Sequence, residues 1–129
     1  MPVLTMNQTL GDLLKFELNG SYCRETVTLK AGTSYPLGAV LGRITASGKY
    51  RLSPNAAVTG DEGAETAVAV LLEAVDANAA GQTGLIAARG PAIVSKAALV
   101  FDASVDDATK TATKHGQLAA AGLVARETA

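Results

Sequence analysis

The stretch YPLGAVLGRITASGKYRL, Tyr35–Leu52, limits what this chain can fold into more than any other eighteen residues. Val40, Gly42 and Ile44 fall on one face and Leu41, Arg43 and Thr45 on the other, the two-residue period of a strand. Ala46-Ser47-Gly48 reverses the chain, because Gly48 can take the positive φ that hairpin turns need. Tyr50 and Leu52 resume the alternation on the return strand. Only Lys49, near the tip, has a side chain suited to covalent chemistry. The most ordered-looking segment is scaffold.

The same reading extends along the chain. Arg24–Lys30 alternates Val27 and Leu29 against Thr26, Thr28 and Lys30, a half-buried strand rich in β-branched residues. Ala31-Gly32-Thr33-Ser34 turns it into the hairpin, Ser53-Pro54-Asn55 ends the hairpin, and Thr59–Gly63 is loop. Leu85–Arg89 and Ala92–Val94 read as short strands around Gly90-Pro91, where a proline suits a strand start or edge. Glu65–Ala77 stays open. Val68, Leu71, Leu72 and Val75 fit a helix face, Val68, Val70 and Leu72 fit a strand face, and periodicity alone does not arbitrate.

One helix is expected over Val105–Ala121. Ser104 stands as its cap, with Asp107 completing a capping-box pattern and Gly122 as the left-handed stop. Asp106 and Asp107 suit the positive end of the helix dipole. Gly116 weakens its middle, and Leu123-Val124 follows as a last strand or packing tail. At the other end, Leu10, Leu13, Leu14 and Leu18 have helical spacing, consistent with a short amphipathic turn after Gly11-Asp12.

Composition limits the function. Of 62 apolar residues among 129, 25 are alanine, and there is no Trp, two Phe and three Tyr. Alanine removes little area from water, so such a domain gains by burying surface against neighbours. The net charge is −1, with +3 in residues 1–52 and −4 in residues 53–129. The cations are scattered and the aromatics few, which argues against nucleic acid as a partner. Scarce rings argue equally against a sugar-binding module. No segment has the run of about 18 apolar residues that a membrane helix needs. The N-terminus does not read as a secretory signal, and the single cysteine, Cys23, suits synthesis in a reducing cytoplasm.

No constellation for catalysis emerges. His115 is the only histidine and lacks the orienting partners of a base or the co-ligands of a zinc site. Cys23 reads as a small buried hydrophobe. Asp61, Glu62 and Glu65 lack the spacing of a calcium loop and read as solvated charges. Lys49 at a hairpin tip is the attachment point that a lipoyl- or biotinyl-type carrier barrel would use, but it follows Ser-Gly and not the acidic or methionine-flanked context of those carriers.

Five phrases carry a resemblance: GDLLKFE at Gly11–Glu17, SYCRETVTL at Ser21–Leu29, LGAVLGRITASGKY at Leu37–Tyr50, ETAVAVLLEAVDA at Glu65–Ala77 and ARGPAIVSKAAL at Ala88–Leu99. In this order the chain resembles the lambda-type head decoration proteins of tailed bacteriophages. The resemblance implies a mainly β, barrel- or sandwich-like domain with the C-terminal helix near 105–121 and one further short helix at most. It resolves the open segment, making Thr66–Leu72 a strand. It also implies a viral structural protein with no enzymatic activity and no cofactor. Such a protein sits as trimers at local three-fold positions on the outside of the expanded capsid, bound to the major capsid protein, and stabilises the shell against packaged DNA. Its place is the virion surface after synthesis in the bacterial cytoplasm.

The expected organisation is a flexible N-terminal arm, residues 1–20, on a single domain, residues 21–129. Thr9, Leu10, Leu13, Leu14 and Phe16 are the arm residues expected to anchor on the capsid, where an extended segment can add to a strand. The alternative is the carrier barrel modified at Lys49.

Overall fold

The computed structural model describes residues 13–17, 23–88 and 92–126. Among the described residues the complete elements are ten strands and one α-helix: β1 Leu14–Glu17, β2 Arg24–Leu29, β3 Ser34–Tyr35, β4 Val40–Arg43, β5 Tyr50–Leu52, β6 Ala67–Leu71, β7 Val75–Asp76, β8 Gln82–Ala87, β9 Ala92–Ser95, α1 Ala108–Ala120 and β10 Leu123–Arg126. A 3₁₀ turn, Lys96–Ala98, follows β9. The architecture is mainly β, as the sequence led us to expect.

Five strands close a barrel in the order β2-β5-β4-β6-β8. The hairpin at its centre has the anticipated register, Leu41 opposite Leu52, Gly42 opposite Arg51 and Arg43 opposite Tyr50. Its turn is closed by the Gly48 amide donating to the Ile44 carbonyl at 2.8 Å, with Gly48 at φ +74°. β2 pairs antiparallel with β8 along its whole length, from Arg24–Ala87 to Leu29–Gln82, and meets β5 in parallel at Leu29–Tyr50. β8 begins three residues before the expected strand, because its polar, exposed end, Gln82 and Thr83, pairs with Leu29 and Thr28 of β2 and carries no apolar signal.

Two layers of core explain why Glu65–Ala77 was ambiguous. One cluster gathers Leu29, Leu41, Ala69, Leu71 and Ile86 with Tyr35, Ala39 and Ala77. The other takes the opposite faces of the same strands, Val40, Ala67, Val70 and Ala87, and packs them against Leu13, Val94, Leu118 and Leu123. β6 is therefore covered on both sides and reads as a continuous apolar run rather than an alternation. It is a strand, as the family resemblance implied.

A three-stranded sheet, β1-β9-β10, lies outside the barrel. β10 runs parallel to β9, with Leu123 opposite Ala92 and Arg126 opposite Ser95. The helix feeding β10 starts later than expected. Asp107, not Ser104, is its N-cap: the Asp107 carboxylate accepts from the Lys110 amide at 2.8 Å. The Ser104 hydroxyl is used elsewhere, accepting from the Asn55 amide at 2.8 Å and donating to Asp102 at 2.6 Å, so it ties two loops together. At the C-terminus Gly122, at φ +88°, sends its amide back to the Ala119 carbonyl at 2.9 Å and ends the helix as expected.

Candidate interaction surface

The N-terminal root is built into the fold. β1 lies within the stretch read as an arm and pairs antiparallel with β9, Leu14 opposite Val94 and Glu17 opposite Ala92. Leu13 has no exposed surface, and Leu14 is half-buried against the same cluster. Phe16 stands on β1 with its backbone opposite Ile93; its side chain lies outside the described residues. Glu17 fixes the end of the strand by accepting from Arg24 through both its oxygens, the shortest contact being 2.7 Å to Nη2. Thr9 and Leu10, and the turn expected after Gly11-Asp12, lie outside the described residues. Among the described residues β1 pairs on one side only, with β9, so it is an edge strand of this sheet.

A charged network ties Lys30, just after β2, and Arg51 on β5 to Asp61 and Asp102. Asp61 is only 4% exposed, and it is not the solvated loop acid that the sequence suggested. Its carboxylate accepts two hydrogen bonds from Lys30 Nζ, at 2.7 and 2.8 Å, and one from Arg51 at 2.8 Å. These bonds, that from Lys30 foremost, hold its pKa below the ordinary aspartate range despite burial. Arg51 also reaches Asp102 at 3.3 Å. The network walls a half-open cavity of about 220 Å³ shared with Tyr35, whose phenol donates to the Lys30 carbonyl at 2.7 Å and whose pKa burial raises. Of the network, Lys30, Arg51 and Asp102 line the hollow, and each is already engaged in a charged pair.

The other candidate residues have structural surroundings. Lys49 is exposed on the hairpin turn. Cys23 is buried, and its carbonyl accepts from the Ala88 amide at 2.8 Å. His115 packs edge-on to Phe101, with ring centroids 5.8 Å apart, and burial, followed by the charge of Lys96, lowers its pKa. Glu62 and Glu65 stay in the loop, where their carboxylates accept from the Gly60 and Gly63 amides. Among the described residues no three His, Cys, Asp or Glu side chains are grouped so as to hold a metal ion. Sequence reasoning missed Lys114, which is 1% exposed and fully hydrogen-bonded inside the protein. Its sequence signal was faint, a lysine on the same helix face as Leu118.

What the fold offers outward is surface. The outer face of α1 consists of Ala108, Thr109, Ala112, Thr113, Gly116, Ala119 and Ala120, all exposed and none charged. The two lysines of α1 are drawn away from it: Lys114 goes into the core and Lys110 to Asp106 at 2.8 Å. A solvent-facing helix ordinarily carries charged residues there. The loop 55–60 and the C-terminal strand add the exposed Val58 and Val124.

A protein-family model described as bacteriophage lambda head decoration protein D matches residues 3–123, nearly the whole chain. The chain belongs to that family. Its family is a structural family of phage capsid components, and the β-rich barrel with one C-terminal helix is the architecture that the resemblance implied. No curated protein matches the chain. For a decoration protein the working site is an interface, and the edge strand β1 and the uncharged face of α1 are the two parts of the described surface suited to one.

Proposed function

We propose that this protein binds as a trimer at local three-fold positions on the outer surface of an expanded tailed-phage capsid. There it cements neighbouring copies of the major capsid protein against the pressure of packaged DNA. The single observation that carries this reading is the family match over residues 3–123. Two structural features support it. First, β1 roots the N-terminal segment at a sheet edge, so residues 1–12, with Thr9 and Leu10 as anchors and Leu13, Leu14 and Phe16 at the root, can extend to a strand of the capsid protein. Second, the Ala/Thr/Gly face of α1 lets another copy approach closely at little desolvation cost. Each contact is weak alone, and repetition around a closed shell supplies the avidity.

The test is co-sedimentation of the purified protein with expanded capsids that lack decoration. Saturable binding supports the reading, and failure to bind any related capsid overturns it. Intact mass addresses the carrier-barrel alternative: the unmodified mass after expression with lipoyl and biotinyl ligases is expected, whereas an adduct on Lys49 favours the alternative.

A further inference from the structure

Lys114 sits on α1 with its ammonium inside the protein, at the seam between the helix and the 53–66 connection. Its Nζ donates to the Ser53 hydroxyl at 2.8 Å, the Pro54 carbonyl at 2.7 Å and the Glu65 carbonyl at 2.6 Å. All three partners are acceptors here. Carbonyls have no proton to give, and the Ser53 hydroxyl spends its own on the Ala64 carbonyl at 2.7 Å. A neutral amine has two N–H groups and a lone pair, so it would point the lone pair at one of these oxygens. The geometry therefore requires three protons on Lys114.

We propose that Lys114 is a protonation-dependent latch: its three N–H groups clasp α1 to both ends of the 53–66 connection, and loss of one proton opens that clasp while the barrel stays folded.

The surrounding charges are sparse. On the 53–66 connection Glu65 acts on the ammonium from a distance, and Asp102 acts from the segment before the helix. Asp61 on the same connection is committed to Lys30 and Arg51. Along α1, Lys110 is paired with Asp106, and His115 turns to Phe101. β6 contains no titratable residue, and the one charged residue of β10, Arg126, is exposed. Among the described residues no carboxylate makes an ion pair with Lys114. Burial outweighs the two distant acids, so its pKa lies below that of an ordinary lysine. The proton lost goes to hydroxide as water, leaving a neutral amine beside three acceptors.

The test is a pH titration of the full-length protein by ¹³C- and ¹⁵N-detected NMR. It follows the lysine side-chain nitrogens together with the Pro54 and Glu65 carbonyl carbons. Lys114 is expected to titrate below the ordinary lysine range. The two carbonyl signals should move with the same midpoint while the β2 and β8 signals hold. In Ser53→Ala, which removes one acceptor of the charged form, the midpoint should fall further. Titration of Lys114 within the ordinary lysine range, carbonyl signals that ignore the transition, or unfolding of the whole chain in the same step would each overturn the latch. None of these readouts involves a capsid, so the result stands apart from the decoration reading.

Discussion

Single residues decide this fold where backbone segments pass closest. Gly42 on β4 sits against the Ala64 carbonyl so tightly that a Cβ there would collide with the backbone. That same carbonyl takes the Ser53 hydroxyl, which in turn takes Lys114. Gly42→Ala should therefore cost about 3 kcal/mol, at the upper end of overpacking effects, because backbone has to yield. Urea unfolding measures it, and a loss under ~1 kcal/mol would show that the connection moves freely. Asp61 makes a pH prediction. Its pKa is lowered in the folded state, so its stabilisation is complete above the unfolded value of about 3.9 and is lost as pH falls through the folded value. Asp61→Asn should lower stability at pH 7 by about 1–3 kcal/mol, since Lys30 and Arg51 lose their shared acceptor. It should also flatten the decline of stability below pH ~3.9. An unchanged acid slope in the variant would assign that decline to other groups.

At the scale of elements, the two ends of the chain behave differently under change. Removing residues 1–12 leaves β1 and its pairing with β9 in place, so thermal unfolding should be unchanged while capsid co-sedimentation is lost. Extending the deletion to residue 18 takes away Leu13, which is fully buried, and an edge strand. That variant should lose stability by at least the ~2–5 kcal/mol typical of truncating a buried leucine. Equal melting of the two deletions would contradict the place given to β1. On α1, Gly116→Glu sets a charge on the uncharged face, where nothing within the chain obstructs it. It should leave the monomer folded by circular dichroism and weaken decoration; full binding would show that this face stays in solvent.

Elements are also where the sequence was most and least legible. The hairpin could be read because exposed Arg43 and Thr45 alternate with buried Gly42 and Ile44, and Gly48 marks its turn. β6 could not, because apolar residues cover both of its faces. β3 and β7, two residues each, are too short to leave a pattern. Asp107 and Ser104 are both good caps, and only the tertiary bond from Asn55 to Ser104 separates their roles. Asp61 was misjudged and Lys114 missed for one reason: burial of a charged residue depends on tertiary partners, here 10 to 61 positions away, which spacing does not reveal.

The whole molecule is a small platform. Its core is two thin layers with alanines among the larger residues, and its polar residues are spent on internal ties: Arg24–Glu17, Lys30–Asp61–Arg51, Lys114–Ser53. Among the described residues, the sheet edge at β1 and an uncharged helix face stand outward, suited to repeated flat contacts. The family match sets this platform on a phage head. The most direct measurement is an electron cryomicroscopy reconstruction of expanded capsids saturated with the full-length protein. Three-lobed density over the local three-fold positions, with the segment N-terminal to Leu13 reaching a capsid-protein strand, is the expected result. Undecorated three-fold positions, or density that contacts the shell only through the hairpin tip at Lys49, would contradict it.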